Sequence, residues 1–214
     1  MSDFQLHQLF SWLSPSYPTG AFSYSHGLEY AVAGGTIRTS KDLELWLGDI
    51  LSQGSGWNDA LLLSHAYRAE TDAQWFEIAE LAEALCASKE RHLETMAQGR
   101  AFAKVTSAVW GLDLKPAALP VCLGRAAALQ SIDLSRTLRL YLHAFAANII
   151  SAGVRFIPLG QTEGQQVLAA LFELIDEISV RAERAELSQV GGICFLADMA
   201  SMQHETMKTR IFRT

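Results

Sequence analysis

Apolar residues recur at helical spacing along most of the chain. Phe4, Leu6, Leu9, Phe10 and Leu13 form the first stripe. Ser14-Pro15 ends it, because proline disfavours α geometry in the residue before it. After Gly34-Gly35, Thr39 with Asp42 three residues on opens a second stripe of Leu43, Trp46, Leu47, Ile50 and Leu51, which stops at Gly54-Ser55-Gly56. Asn58 can cap a helix carrying Leu61, Leu62, Leu63, His65, Ala66 and Tyr67. Thr71 with Gln74 makes a capping-box pattern for another, through Trp75, Ile78, Leu81, Ala82 and Leu85.

Residues 88–109 mix Glu90, Arg91, His92, Glu94, Arg100 and Lys104 with the apolar residues Leu93, Met96, Ala97, Phe102 and Val105, which keep to one side and predict an amphipathic helix. Gly111, Pro116 and Pro120 punctuate a linker. Residues 121–130, 134–156 and 162–184 then read as three further helices, separated by Asp133 and Pro158-Leu159-Gly160. Residues 154–157 are too short for a convincing strand, and residues 191–196 are ambiguous between strand and helix. The pattern predicts an all-α protein: one domain over residues 1–214, a bundle of roughly eight to ten helices.

Half of the residues are apolar, enough for a sizeable core. The formal net charge is -6 and no basic stripe occurs, which argues against a nucleic-acid binder that works by neutralising phosphates. Residues 1–13 carry Asp3 and no basic start, unlike a secretory signal. The most apolar window, residues 138–157, contains Arg139, His143, Asn148 and Arg155. Two arginines in lipid would cost several kcal/mol, so a core helix is expected there and no membrane span. The three cysteines, Cys86, Cys122 and Cys194, lie far apart without CxxC spacing, so they fit inert core thiols in a reducing cytoplasm.

Enzymatic signatures are missing. Gly160-Gln161-Thr162-Glu163-Gly164 lacks the lysine of a phosphate loop and places a carboxylate where phosphate would sit. Ser23-Tyr24-Ser25-His26-Gly27 has a serine where a nucleophile elbow needs its first glycine. His7, His26, His65, His92, His143 and His204 are scattered, with no pair at i,i+4 completing a ligand set, so no metal site is expected. His65 and His143 read as core or boundary histidines, whereas His26 and His204 read as exposed. A small cofactor held between helices would need convergent polar residues inside, and none stand out at i,i+3 or i,i+4 spacing.

Two stretches fit neither a plain core nor a plain surface. "SPSYPTGAFSYSHGLEYAV", residues 14–32, combines rigid aromatics with small residues that admit a neighbouring backbone, the composition of a protein–protein surface. Tyr17, Phe22, Tyr24 and Tyr30 would be exposed anchors, with Gly20 and Gly27 permitting approach. "MASMQHETMKTRIFRT", residues 199–214, mixes methionines and Phe212 with Lys208, Arg210 and Arg213, which suits either docking onto a partner or packing on the chain's own core. Composition leaves open whether either stretch is ordered before a partner arrives. Glu29 and Arg155, on composition alone, are solvated helix-end residues.

These two stretches, with "SKERHLETMAQGRAF" at 88–102 and "AGVRFIPLGQTEGQ" at 152–165, make the chain resemble the UreF family of urease accessory proteins over nearly its whole length. The resemblance implies an all-α homodimer without enzymatic activity of its own. It further implies binding to UreD (also called UreH), recruitment of the GTPase UreG to apo-urease, and a part in nickel insertion. Tyr17, Gly20, Phe22, Ser23, Tyr24, Phe212 and Arg213 are expected to bind partners, and the resemblance adds Glu29 and Arg155, which fall where family residues work with the GTPase, and Arg210, which falls where the family's tail carries an arginine important for complex formation. The chain departs from the usual pattern at Pro18-Thr19-Gly20, where Pro-Val-Gly is commoner, at Arg155, where lysine is, and at Met207-Lys208-Thr209, in place of Gln-Tyr-Ser.

Overall fold

The computed structural model describes residues 1–213. Among them it contains eleven α-helices, two short 3-10 turns and no strand: α1 (Asp3–Leu13), α2 (Leu28–Ala33), α3 (Ser40–Gln53), α4 (Ser55–Arg68), α5 (Asp72–Ala84), α6 (Lys89–Trp110), α7 (Leu119–Leu129), α8 (Leu134–Phe156), α9 (Gln161–Ala170), α10 (Phe172–Arg184) and α11 (Phe195–His204).

The capping signals act as expected. Thr39 accepts from the Asp42 amide while the Asp42 carboxylate accepts from the Thr39 amide, and Thr71 and Gln74 close the same reciprocal pair at α5. The whole Leu43, Trp46, Leu47, Ile50 and Leu51 stripe of α3 is buried. The segment read as one helix over residues 162–184 is two, since the chain turns at Leu171 and restarts as α10. Pro120, read as linker, lies in the first turn of α7, where its missing N–H removes no helical bond.

Helix α4 is the hub, packed against α3, α5, α7, α8 and α10 and buried on nearly every side. The long helix α8 packs against it, whereas the long helix α6 packs on α7. Gly99 of α6 is where the chain after that helix crosses most closely: a Cβ there would sit 1.9 Å from the Ala117 carbonyl oxygen. Cys122 is fully buried and Cys86 half-buried, both thiols being free, and burial pushes the Cys122 thiol up to about 12. No helix among the described residues is long and apolar enough to cross a membrane.

The inward face of α6 differs from the expected one. Leu93 is exposed, while Glu90, Arg91, Glu94 and Gln98 are buried beside Phe102 and Ala103. The reason is tertiary: each of these polar groups meets a partner brought by another part of the fold or by its own helix, so burial leaves few bonds unmade.

Candidate functional site

The N-terminal loop and the C-terminal tail fold onto each other. Gly27 adopts φ 76, and a Cβ there would lie 2.7 Å from the Ser201 backbone nitrogen, so the absent side chain lets the start of α2 lie directly on α11. His26 also takes a left-handed conformation, with φ 57, which is uncommon for a residue with a side chain. Its ring is held on both sides, Nε2 lying 2.7 Å from Ser55 Oγ and Nδ1 3.3 Å from Glu94 Oε2.

Several loop and tail residues are placed differently from the expectation. Tyr17 is buried, with its hydroxyl 2.8 Å from Thr106 Oγ1 and its ring against Phe102 and Trp110. Tyr24 is 4% exposed. Neither is an outward anchor, because the small residues between them let the loop lie flat with these rings turned inward. Phe22, in the 3-10 turn Ala21–Ser23, stays 66% exposed, and Gly20, Ser23 and Tyr30 also face solvent. Phe212 is buried, its ring centroid 5.1 Å from that of Phe156, so the tail packs on the chain's own core there.

Glu29 is buried rather than solvated, and it holds the tail. Its Oε1 accepts the Ile211 amide at 2.8 Å and its Oε2 the Phe212 amide at 3.0 Å. The Arg213 amide donates to the Ser23 carbonyl at 2.9 Å. His204, expected at the surface, is fully buried: Nε2 lies 3.2 Å from Glu29 Oε2 and Nδ1 2.7 Å from Glu90 Oε2. Arg210 closes the cluster, donating to Glu90 Oε1 at 2.6 Å while much of its side chain stays exposed. Burial raises the Glu90 carboxyl above the ordinary range, against the opposing pull of His204 and Arg210.

Arg155 ends α8 under this assembly. Its guanidinium carbon lies 3.3 Å from the Phe22 ring centroid and 5.2 Å from that of Phe212, joining loop and tail through one cation. No side-chain carboxylate among the described residues pairs with it, and burial against the rings lowers it from the ordinary arginine value. Beside it opens a cavity of about 350 Å³ lined by Phe22, Ser151, Arg155, Gln161, Gln165 and Leu168.

A second cavity, of about 430 Å³, lies between α4, α6 and α11 and is lined by polar groups including His26, Ser55, Asp59, Arg91 and Asp198. Convergent polar residues therefore do exist inside the bundle, and Glu90, Glu94 and Gln98 stand at i,i+4 spacing on α6. They are largely occupied with one another. Arg91 donates to Asp59 at 2.6 Å and lies 3.6 Å from Glu94, and the Tyr141 hydroxyl donates to Asp59 at 2.6 Å. Among the described residues, no group of three or more His, Cys, Asp or Glu side chains is arranged to hold a metal ion.

The arrangement is thus a loop and a tail joined to each other over buried ion pairs. The UreF family model matches residues 37–172. A urease accessory protein UreF of Cereibacter sphaeroides (strain KD131 / KCTC 12085) is 49% identical over 209 residues, covering 98% of each chain. The protein of the same name from Ruegeria pomeroyi is 45% identical over 210 residues, covering 98% of this chain and 97% of its own. That of Rhodopseudomonas palustris (strain HaA2) is 45% identical over 221 residues, covering 98% and 93%. The chain belongs to the UreF family of urease accessory proteins.

Proposed function

We propose that the joined loop and tail form the face through which this accessory protein engages others. In this reading it binds UreD (UreH) and, through that assembly, recruits the GTPase UreG to apo-urease, so that GTP hydrolysis is tied to nickel insertion in the cytoplasm. The observation that carries it is the pinning of residues 211–213 to Glu29 and Ser23, which brings loop and tail together where Arg155 meets both Phe22 and Phe212. Exposed aromatics and arginines in such a setting are typical anchors of protein interfaces. The outward face of α1, with Phe4 and Phe10 both exposed, supports a homodimer, since apolar patches of this kind are usually covered in the working assembly.

An arginine supplied to a GTPase speeds hydrolysis by orders of magnitude. Arg155 is the candidate for that role, because Arg210 is already engaged by Glu90 whereas Arg155 has no carboxylate partner among the described residues. Replacement of Arg155 by alanine changes UreG turnover in the assembled complex if the assignment holds; unchanged turnover removes it.

Co-purification tests the whole reading. The tagged intact chain retains UreD and UreG, and a chain cut after Met202 loses both. Retention of both partners by the truncated chain would sink the proposal.

A further inference from the structure

The fully buried ring of His204 faces a carboxylate at each nitrogen, Glu90 Oε2 at 2.7 Å and Glu29 Oε2 at 3.2 Å. A neutral imidazole carries one N–H, so in that form its other nitrogen would present a lone pair to a carboxylate oxygen in a site closed to water. With both carboxylates ionised, both contacts are made only when both nitrogens donate. The charges agree with this. Glu29 from α2 and Glu90 from α6 are faced by Arg210 from the tail, so a neutral ring leaves one carboxylate in excess, whereas a cationic ring balances the cluster. The other charged group close by, Glu205, follows His204 and accepts from the Lys89 amide, adding further negative charge.

We infer that His204, donating from both ring nitrogens, is the positioning residue that fastens the C-terminal tail, so that loss of one ring proton loosens residues 207–213. Glu29 links the ring to the tail. The same carboxylate that accepts from His204 accepts the Ile211 and Phe212 amides, and Phe212 is what brings the tail against Arg155. When the ring turns neutral, the carboxylate facing its bare nitrogen is repelled, and the tail amides lose a correctly placed acceptor. The direction follows: a group that gains protons on fastening contributes its full effect at lower pH and loses it as pH rises. Because the tail carries Arg210 and Phe212, this inference rests on the functional reading above and makes the docking face responsive to pH.

The test uses the isolated full chain. Nitrogen NMR of the histidine rings reports how many protons His204 carries from about pH 5.5 to about pH 8.5, while amide exchange at Ile211 and Phe212, corrected for intrinsic rates, reports the tail. The expected result is a doubly protonated His204 wherever the two amides are protected, and protection that falls by up to about tenfold per pH unit once that ring loses a proton. In His204→Gln, which does not titrate, protection is weaker and flat across the range. Full protection around a ring carrying a single proton overturns the inference, and so does an unaltered pH profile in His204→Gln, which would place the decisive proton on Glu90. Should the variant fail to fold, the wild-type measurement decides alone. Capture of UreD by the same samples is read separately: tail protection that follows His204 while capture ignores it upholds the fastening and rejects the docking face.

Discussion

The Arg155 guanidinium carbon lies over the Phe22 ring, 3.3 Å from its centroid, and so ties the end of a core helix to the tip of a surface loop. The stack is on the surface and is worth about 0.5–1 kcal/mol. Replacing Phe22 by alanine therefore lowers folding stability by no more than about 1 kcal/mol in urea titration. Binding to UreD or UreG responds differently. If Phe22 is an interface anchor, the same variant weakens capture by about thirtyfold, the equivalent of about 2 kcal/mol, as read by calorimetry.

The two inward-turned tyrosines show the opposite pattern. Tyr17→Phe keeps the ring but leaves the buried Thr106 hydroxyl without that partner, a loss of about 1–3 kcal/mol. Tyr24→Ala removes a buried ring and costs about 3–5 kcal/mol. Partner affinity, measured well below the unfolding transition, changes little in Tyr17→Phe. A large affinity loss with unchanged stability would contradict this placement.

Gly99→Ala separates helix preference from packing. Alanine is favoured in a helix interior by about 1 kcal/mol, yet its methyl group would collide with the Ala117 carbonyl. The backbone there has to move, so the variant is less stable by about 1–3 kcal/mol, checked by thermal or urea denaturation.

At the start of α3, the Asp42 carboxylate is held below its ordinary range, chiefly by the Arg38 amide and then by the Thr39 hydroxyl. A carboxyl depressed on folding contributes stability that is present above its unfolded value, near about pH 4, and is lost as pH falls through the folded one. Asp42→Asn accordingly flattens the acid limb of a stability-versus-pH curve. Thr39→Ala removes the cap itself and costs about 1 kcal/mol at neutral pH.

Thiol chemistry gives an independent check of the core. With its thiol pushed up to about 12 and no exposure, Cys122 reacts with disulfide reagents at pH 8 only as fast as the protein unfolds. Half-buried Cys86 reacts first.

What the sequence made legible was what neighbours in the chain decide. The Thr39–Asp42 and Thr71–Gln74 pairs, the α3 stripe and the full extent of α8 follow from local spacing and local capping, and all stand in the structure. The docking face was legible only in outline. Tyr17 meets Thr106 across 89 positions, and Glu29 meets Phe212 across 183, so no periodicity could report that these side chains turn inward. The same holds for α6, whose buried Glu90, Arg91 and Glu94 looked like a solvated face because their partners His204, Asp59 and His26 lie on other elements.

The clasp between Glu29 and the amides of Ile211 and Phe212 also has a temporal side. A ribosome delivers Glu29 long before it delivers its mates, 182 and 183 positions later. The amino-terminal segment is thus obliged to wait, incompletely assembled, until those residues have been made. Chains stalled before Ile211 would leave that carboxylate without its two amide donors.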